Sequence, residues 1–223
     1  MSLIDHLLTV LAPYECLGCG AEGPLLCADC LRALPPLPER CYRCRAPSPS
    51  APTCAACATD SLLDKVIIGT AYAGIAKELI ARLKFTGARA AARSMALRLA
   101  PLLVPSADHG ALLVSVPTAA SRVRRRGYDQ AALLARELSR RTRLPYLACL
   151  ARSGHTRQLG ASREQRLSQL AGAFRVTRPA SVKGAHVVLI DDVLTTGATL
   201  EAAASVLRAH GAGRISAAVF AQA

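Results

Sequence analysis

The spacing of apolar residues changes near residue 60 and divides the chain into two parts. Beyond that point, short continuous apolar runs alternate with segments in which apolar residues recur at the helical period. Strands are predicted at residues 66–72, 111–116, 146–150, 186–191 and 214–221, and helices at residues 74–84, 88–103, 129–142 and 198–210. This alternation predicts an α/β domain in which a parallel sheet is covered by helices on both faces. In such sheets, ligands bind at the carboxyl ends of the strands.

The first part of the chain carries four successive C-x-x-C pairs. Their cysteines are Cys16, Cys19, Cys27, Cys30, Cys41, Cys44, Cys54 and Cys57. A C-x-x-C turn brings two thiolates to one tetrahedral Zn²⁺, so four pairs satisfy two Cys₄ sites with no ligand left over. Consecutive pairing puts the first four cysteines on one metal ion and the last four on the other, and an interleaved pairing also fits the spacing. Because no coordination position stays open, structural rather than catalytic zinc is expected.

Six prolines between residues 35 and 52 predict little regular structure around these cysteines, so this region would need the metal in order to fold. We therefore expect a small zinc-ribbon module with an N-terminal helix in residues 1–60 and the α/β domain in residues 61–223. Cys149 stands apart in Y-L-A-C-L and is expected to be a buried core thiol.

Composition supports a packed core, because 52% of the 223 residues are hydrophobic. The absence of Trp and an aromatic content of 4% leave few platforms for stacking nucleic-acid bases. The net charge is +13, and arginines cluster in residues 122–126, 136–143 and 152–166. This charge suits either a polyanionic small molecule or a nucleic-acid backbone. For the arginines in residues 136–143, a solvent-exposed helix face with no binding role explains the charge at least equally well.

The chain contains no apolar run long enough to span a membrane. Residues 1–13 lack a basic start and carry Asp5 and His6 within their apolar run. They are predicted to form a short amphipathic helix ended by Pro13 rather than a signal peptide. Since cysteines stay reduced in the cytoplasm, zinc ligation there is more plausible than disulfides, and we expect a cytoplasmic protein.

The stretch V-V-L-I-D-D-V-L-T-T-G-A-T, residues 187–199, combines a predicted strand end with a predicted helix start. Free backbone N–H groups and the helix dipole at such a junction form an anion cradle, and Gly197 lets the backbone approach a phosphate closely. The paired carboxylates of Asp191 and Asp192 can accept hydrogen bonds from a vicinal diol such as that of ribose. A helix cap beside a strand-end Asp does not account for two acids and three threonines around one glycine. The stretch is therefore predicted to bind a phosphorylated ribose, with phosphoribosyl pyrophosphate (PRPP) as the expected ligand.

This stretch resembles the PRPP-binding signature of type I phosphoribosyltransferases, and nearly the whole chain resembles the ComF family, which is associated with competence for DNA uptake. The similar segments are the cysteine pairs, Y-A-G-I-A-K-E-L-I-A-R-L-K-F-T-G (72–87), V-P (116–117), R-R-G-Y-D-Q (125–130), and Gln158 with Arg166 before A-F (173–174). The resemblance implies a double zinc ribbon joined to a type I phosphoribosyltransferase-like domain.

The same resemblance implies roles for individual residues. Asp191 and Asp192 would hold the ribose hydroxyls, and Thr195, Thr196, Gly197, Ala198 and Thr199 the 5′-phosphate. The pyrophosphate loop would contain Pro117, Thr118 and Arg122, and a lid over PRPP would contain Arg152, Arg157 and Arg166. Mg²⁺ is expected to accompany PRPP.

Three departures from the family pattern concern the pyrophosphate side rather than the sugar-phosphate stretch. The chain has Asp129 where the family has Asn, Gln169 where Asn is also expected, and V-P-T-A-A without a second Pro after Val116.

Two classes of function follow from these features. An enzyme would transfer the phosphoribosyl group from PRPP to an unknown acceptor with release of pyrophosphate. No general base is evident, and the catalytic candidates are Arg157 and Glu201, although a first-turn Glu otherwise complements the helix dipole. Residues 72–87, with Lys84 and Phe85, are the candidate acceptor region, whereas a helix end with a buried apolar side is the plainer alternative.

The rival class is a non-catalytic module that responds to PRPP or a nucleotide and contacts DNA through its zinc ribbons and basic surface. A scaffold for DNA uptake that uses the fold only for protein contacts is a third possibility. The partners expected from both readings are PRPP, single- or double-stranded DNA, and competence or DNA-processing proteins.

Overall fold

The computed structural model describes residues 14–49, 51–108, 110–152 and 172–223. The helix predicted in residues 1–13 and most of the predicted lid lie outside these ranges. No helix within them has the length and apolar character needed to cross a membrane.

Short elements make up the cysteine-rich module. They are β1 (Tyr14–Glu15), β2 (Glu22–Gly23), α1 (Ala28–Arg32) and α2 (Ala55–Thr59), with β1 and β2 paired antiparallel. None is longer than five residues. The scarcity of regular structure follows the proline content of this segment.

The central sheet of the α/β domain is parallel, which confirms the predicted fold class. Along the described chain the strands are β3 (Lys65–Ala71), β4 (Leu112–Ser115), β5 (Leu150–Arg152), β6 (Phe174–Val176), β7 (His186–Leu194) and β8 (Arg214–Gln222). Four of them form the sheet in the order β3-β8-β7-β4. In β7 the four residues from Val187 to Ile190 are all buried, as is typical of a strand covered on both faces.

Helices cover both faces of this sheet. They are α3 (Gly74–Phe85), α4 (Ala90–Leu103), α5 (Ala120–Arg126), α6 (Gln130–Thr142) and α7 (Ala198–Ala209). Apolar residues of α3, α4 and α6 pack on one face, and those of α7 pack on the other. The N-cap of α6 is Asp129, whose carboxylate accepts the N–H groups of Ala131 and Ala132. Helix α5 was not predicted, because its seven residues carry too few apolar positions to show a period.

The strand predicted at residues 146–150 is wrong in position. Residues 145–147 run beside β4 for one bridge only, with the Leu147 N–H donating to the Leu113 carbonyl over 2.9 Å. The regular strand begins at Leu150 and pairs antiparallel with β6 outside the central sheet. Apolar composition favoured a strand here, but only pairing with a partner decides where it begins. Cys149 is fully buried, which confirms a core thiol.

The cysteine-rich module packs against both faces of the sheet. Cys16 and Leu26 belong to the apolar core beneath α3, whereas Tyr42 belongs to the core beneath α7. Between them the chain crosses the edge strand β3, where the Pro35 carbonyl accepts the Thr70 hydroxyl over 2.7 Å. The module and the sheet therefore share their cores. The boundary at residue 60 stays a prediction.

Candidate functional site

The two neighbouring acids of β7 have different surroundings. Because side chains alternate along a strand, Asp191 faces the side of α7 and Asp192 the side of α3. Asp192 is 4% exposed, and its Oδ2 lies 2.8 Å from Nζ of Lys84 at the end of α3. Its backbone N–H donates to Oδ1 of Asp191 over 2.8 Å. One acid is thus neutralised by a cation, and the other is available at the loop before α7.

The pKa of Asp191 is raised well above the usual carboxyl value. The main cause is desolvation of the partly buried carboxyl group, and the second is the negative charge of Asp192. The Asp192 N–H and the Lys84 ammonium act in the opposite direction but do not cancel these effects. A carboxyl group held in this way gains from hydrogen-bond donors or a cation that a ligand brings to it.

The loop from β7 to α7 forms a small concavity of about 20 Å³. Its lining includes Asp191, Thr195, Gly197, Ala198 and Thr199. Gly197 has φ of 76° and directly precedes α7. The N–H groups in the first turn of a helix have no acceptor within that helix, so the start of α7 offers donors for an anion beside the concavity. The structure thus gathers four of the five residues predicted to bind phosphate, together with Asp191, around one space, and Thr196 is not among its lining residues.

The predicted pyrophosphate loop lies beside this concavity because β4 and β7 are neighbours. The Val116 N–H donates to the Ile190 carbonyl over 3.0 Å, so the loop and the acid pair leave the same edge of the sheet. Within the loop, the Thr118 N–H donates to Oδ2 of Asp129 over 2.8 Å. Arg122 is exposed on α5. Asp129 therefore ties the loop to the start of α6 as well as capping that helix.

A larger basic cavity of about 280 Å³ opens on the other side of the acid pair. It is lined by Lys84, Phe85, Gly87, Arg125, Arg126 and Tyr128. The Arg126 guanidinium packs over the Phe85 ring at 5.6 Å, and Phe85 itself is 70% exposed. The sequence did not predict this cavity, because Lys84 and Phe85 come from α3, whereas Arg125 and Arg126 come from α5, about 40 residues later. A signal was present in the adjacent Lys84 and Phe85, which had been assigned to a candidate acceptor region.

Of the remaining predicted site residues, Arg152 and Glu201 lie within the described part of the chain. Arg152 ends β5 and packs over the Phe174 ring at 5.4 Å. Arg157 and Arg166 lie outside the described residues. Glu201, in the first turn of α7, accepts the Ser61 hydroxyl over 2.6 Å and the Leu62 N–H over 3.0 Å. Glu201 thus tethers the segment after the cysteine-rich module, and its catalytic role stays a prediction.

The cysteines form two separate clusters, and consecutive pairing is the arrangement observed. One cluster holds Cys16, Cys19, Cys27 and Cys30, and the other Cys41, Cys44, Cys54 and Cys57, each with its sulfur atoms within 4.8 Å of one another. Representative Sγ–Sγ distances are 3.8 Å for Cys19–Cys27 and 3.7 Å for Cys44–Cys54. A tetrahedral ZnS₄ centre has sulfur edges of about 3.8 Å, since the Zn–S bond is about 2.3 Å. Both clusters therefore fit a structural metal ion such as zinc.

The thiols within each cluster differ strongly in acidity. Burial alone would raise the pKa of Cys16 and of Cys41, but backbone N–H groups lower both to about 6. Hydrogen bonding to Cys27 raises the pKa of Cys30 to about 12, and hydrogen bonding to Cys44 does the same for Cys57. Without metal, each cluster thus combines one acidic thiol with one that holds its proton. A divalent cation would displace that proton.

Comparison with known proteins agrees with this architecture. Residues 86–223 match the phosphoribosyl transferase domain family. The DNA utilization protein YhgH of Salmonella typhimurium is 30% identical over 204 residues, which cover 85% of this chain and 87% of that protein. Competence protein F of Haemophilus influenzae is 35% identical over 61% of this chain and 56% of its own length. Competence protein ComFC of Bacillus subtilis is 36% identical over 47% of this chain and 41% of its own length.

The chain combines a parallel sheet with two four-cysteine clusters and has relatives that match over most of its length. It therefore belongs to the phosphoribosyl transferase domain family and, within it, to the ComF type.

Proposed function

We propose that the protein binds PRPP at residues 191–199 and transfers its phosphoribosyl group to an acceptor with release of pyrophosphate. The observation that carries this proposal is the concavity at which Asp191, Thr195 and the first turn of α7 meet. A 5′-phosphate at the helix start and a ribose hydroxyl at Asp191 would use both the donors and the acceptor that this loop presents.

The pyrophosphate end of PRPP would extend toward Pro117 and Thr118, which leave the neighbouring strand. Arg122 and the lid arginines Arg152, Arg157 and Arg166 would add positive charge there. In the reaction, the bond between C1′ and the pyrophosphate oxygen breaks and a bond from C1′ to the acceptor nucleophile forms. The nucleophile gives up its proton, and the electron pair leaves with pyrophosphate.

Mg²⁺ fits this site because Asp191 offers a carboxylate beside the expected position of the ribose and pyrophosphate. Mg²⁺ in proteins is bound by one or two carboxylates together with substrate phosphates. When bound, it would neutralise the charge that develops on the departing pyrophosphate.

The acceptor would occupy the basic cavity that begins at Lys84. Three cationic side chains line it, and Lys84 also contacts Asp192, so the cavity adjoins the acid pair. Among the described residues, no acidic side chain pairs with Arg125 or Arg126, which favours an acceptor that carries negative charge. The exposed Phe85 ring would contact a planar part of that acceptor.

We also propose a cytoplasmic location, in keeping with eight cysteines arranged for metal binding rather than for disulfides.

Calorimetry with PRPP and Mg²⁺ tests the proposal, combined with a pyrophosphate-release assay over a panel of nucleobases and amines that includes members carrying a carboxylate. Wild-type protein should bind PRPP, and Asp191→Ala together with Asp192→Ala should abolish binding. Asp108→Asn, which lies at the opposite end of β7 beside His186, should bind as wild type does. Absence of PRPP binding by folded wild-type protein would overturn the proposal.

The second candidate function is a non-catalytic module that responds to PRPP and contacts DNA. The net charge of +13 and relatives whose names refer to DNA utilization and competence favour it. The engagement of the Thr118 N–H by Asp129 also removes one donor from the pyrophosphate loop. PRPP binding without pyrophosphate release from any acceptor would select this function. Its DNA contacts would show as affinity that falls steeply with salt and depends on the module of residues 1–60.

A further inference from the structure

Tyr42 lies between the ligand positions Cys41 and Cys44 of the second cluster and packs directly onto the loop from β7 to α7, residues 195–197, which we call the phosphate loop. It follows Cys41, is fully buried, and belongs to the apolar core beneath α7. Its ring occupies the space where a side chain at Gly197 would be. A Cβ placed on Gly197 would overlap Cε2 of Tyr42 and lie 3.2 Å from Cδ2. The phosphate loop thus rests on a residue from the cysteine-rich module.

A second contact joins the same cluster to the helix that the loop begins. The Arg43 guanidinium donates to the Cys57 carbonyl over 2.6 Å and lies 4.0 Å from the carboxylate of Glu201 in the first turn of α7. Glu201 also accepts the Ser61 hydroxyl and the Leu62 N–H. Residues adjoining the second cluster therefore hold both the loop and the first turn of the helix that would bind the 5′-phosphate.

The first cluster has no such role in the described structure. Its Cys16 packs in the core beneath α3, on the opposite face of the sheet. Gly18 faces Ile75 of α3, with 3.2 Å between the position of a Cβ and the Ile75 Cδ1 atom. The two clusters thus provide a matched comparison within one chain.

We propose that the second cluster, formed by Cys41, Cys44, Cys54 and Cys57, positions the phosphate loop through Tyr42 and thereby sets the affinity for phosphoribosyl ligands according to its metal occupancy. This inference rests on the proposed function for its ligand. With metal bound, the turn from Cys41 to Cys44 is fixed and Tyr42 supports Gly197 in its left-handed conformation. Without metal, the support loosens and the loop must be ordered by the ligand, which costs binding free energy.

Exposed ligand cysteines at equivalent positions allow a direct test. Cys19 and Cys44 are each the second cysteine of the first C-x-x-C pair in their cluster. Cys19→Ser and Cys44→Ser should each lose about one zinc ion per chain by metal analysis. Calorimetry with ribose 5-phosphate should show about a tenfold loss of affinity for Cys44→Ser, as expected for a loop that must be ordered on binding. Cys19→Ser should stay near wild type. Equal affinities for the two variants would overturn the inference.

Substitutions of the tyrosine separate the ring from the metal. In zinc-loaded protein, Tyr42→Phe keeps the ring and should bind ribose 5-phosphate as wild type does. Tyr42→Leu should lose affinity while zinc content stays unchanged. Because loss of a buried ring lowers stability, the folded state of each variant is checked by circular dichroism. Wild-type affinity in folded Tyr42→Leu would overturn the role of the ring.

Hydrogen exchange supplies a readout that needs no ligand. Amide protons in residues 194–200 should exchange faster in Cys44→Ser than in wild type, and at the wild-type rate in Cys19→Ser. If wild-type protein fails to bind any phosphoribosyl ligand, the proposed function fails, and this exchange comparison still decides whether the cluster positions the loop. The same exchange rate in both variants would overturn it.

Discussion

The ammonium group of Lys84 lies 2.8 Å from Oδ2 of Asp192 and joins the end of α3 to the acid pair of β7. Both groups are shielded, with side-chain exposures of 21% for Lys84 and 5% for Asp192. An aspartate that is buried to this degree needs a cationic partner, because an isolated charge in such a position is costly. Lys84 supplies that partner and at the same time lines the basic cavity. Lys84 thus belongs both to the acid pair's surroundings and to the basic cavity.

Replacing this lysine should destabilise the protein. Lys84→Met leaves Asp192 buried without its partner, and removal of one member of such a pair costs about 3 kcal/mol. Urea unfolding monitored by circular dichroism measures the loss. Lys77→Met, on an exposed position of the same helix, is the control and should change stability little. The double variant Lys84→Met/Asp192→Asn should recover part of the stability lost in Lys84→Met. A double variant that is no more stable than Lys84→Met would contradict a role for the ion pair.

Asp191→Asn should stabilise the fold while weakening ligand binding. The pKa of Asp191 is higher in the folded state than in the unfolded state, where it is 3.8, so the folded state favours the protonated carboxyl group. The stability that this provides is fully present below the unfolded pKa and is lost as the pH rises through the folded pKa. The variant should therefore unfold at a higher temperature than wild type at neutral pH, and the difference should shrink in acid. Thermal unfolding across that pH range measures it.

The same substitution should reduce PRPP affinity by about tenfold or more, since hydrogen bonds to a charged acceptor contribute roughly 1.5–3 kcal/mol. Asp29→Asn, an exposed acid in α1, controls for the loss of one negative charge and should alter neither property. A fall in thermal stability of Asp191→Asn at neutral pH would contradict the raised pKa.

Gly197→Ala should disrupt the phosphate loop for two separable reasons. The left-handed φ of 76° disfavours any side chain, and the added Cβ would overlap the ring of Tyr42. Gly184→Ala is the matched control, because Gly184 has a similar φ of 71° but no atom within 4 Å of the added Cβ. Gly184→Ala should cost about 1 kcal/mol from conformation alone, and Gly197→Ala clearly more. Equal losses in urea unfolding would mean that the ring is free to move away.

Zinc binding to the metal-free protein should release protons. The raised pKa of about 12 keeps Cys30 and Cys57 protonated at neutral pH, so a metal ion must displace at least those two protons. Calorimetric titration with Zn²⁺ in two buffers of different ionisation enthalpy should therefore give different apparent heats. Acidification should release the metal again. Binding heats that do not depend on the buffer would show that the thiols are not the ligands.

Features encoded by neighbouring residues could be predicted from the sequence. The stretch from Val187 to Thr199 contains a strand, two acids and a helix start in succession, and the structure places most of them around one concavity. The C-x-x-C pairs predicted two four-cysteine clusters for the same reason, since each turn brings its own ligands together. Continuous apolar runs likewise predicted the four strands of the central sheet.

Other features depend on strand order and were not predictable. The strand assigned to residues 146–150 was displaced, because its pairing partner β6 begins more than 20 residues later. Helix α5 has seven residues and carries Arg125 and Arg126 into the basic cavity without a visible apolar period. The contact between Asp129 and Thr118 also depends on how α6 packs beside the end of β4.

The sequence by itself determined the local groups in this protein, namely an acid pair that leads into a strand-to-helix loop and two four-cysteine clusters, because each is built from residues a few positions apart. Only the tertiary structure decided how those sites are connected. The packing of α3 on the sheet brings Lys84 to Asp192. The packing of the cysteine-rich module across the sheet edge brings Tyr42 to Gly197, over a separation of about 150 residues. No local pattern records such contacts, because they arise from burial of the module and the sheet in common cores.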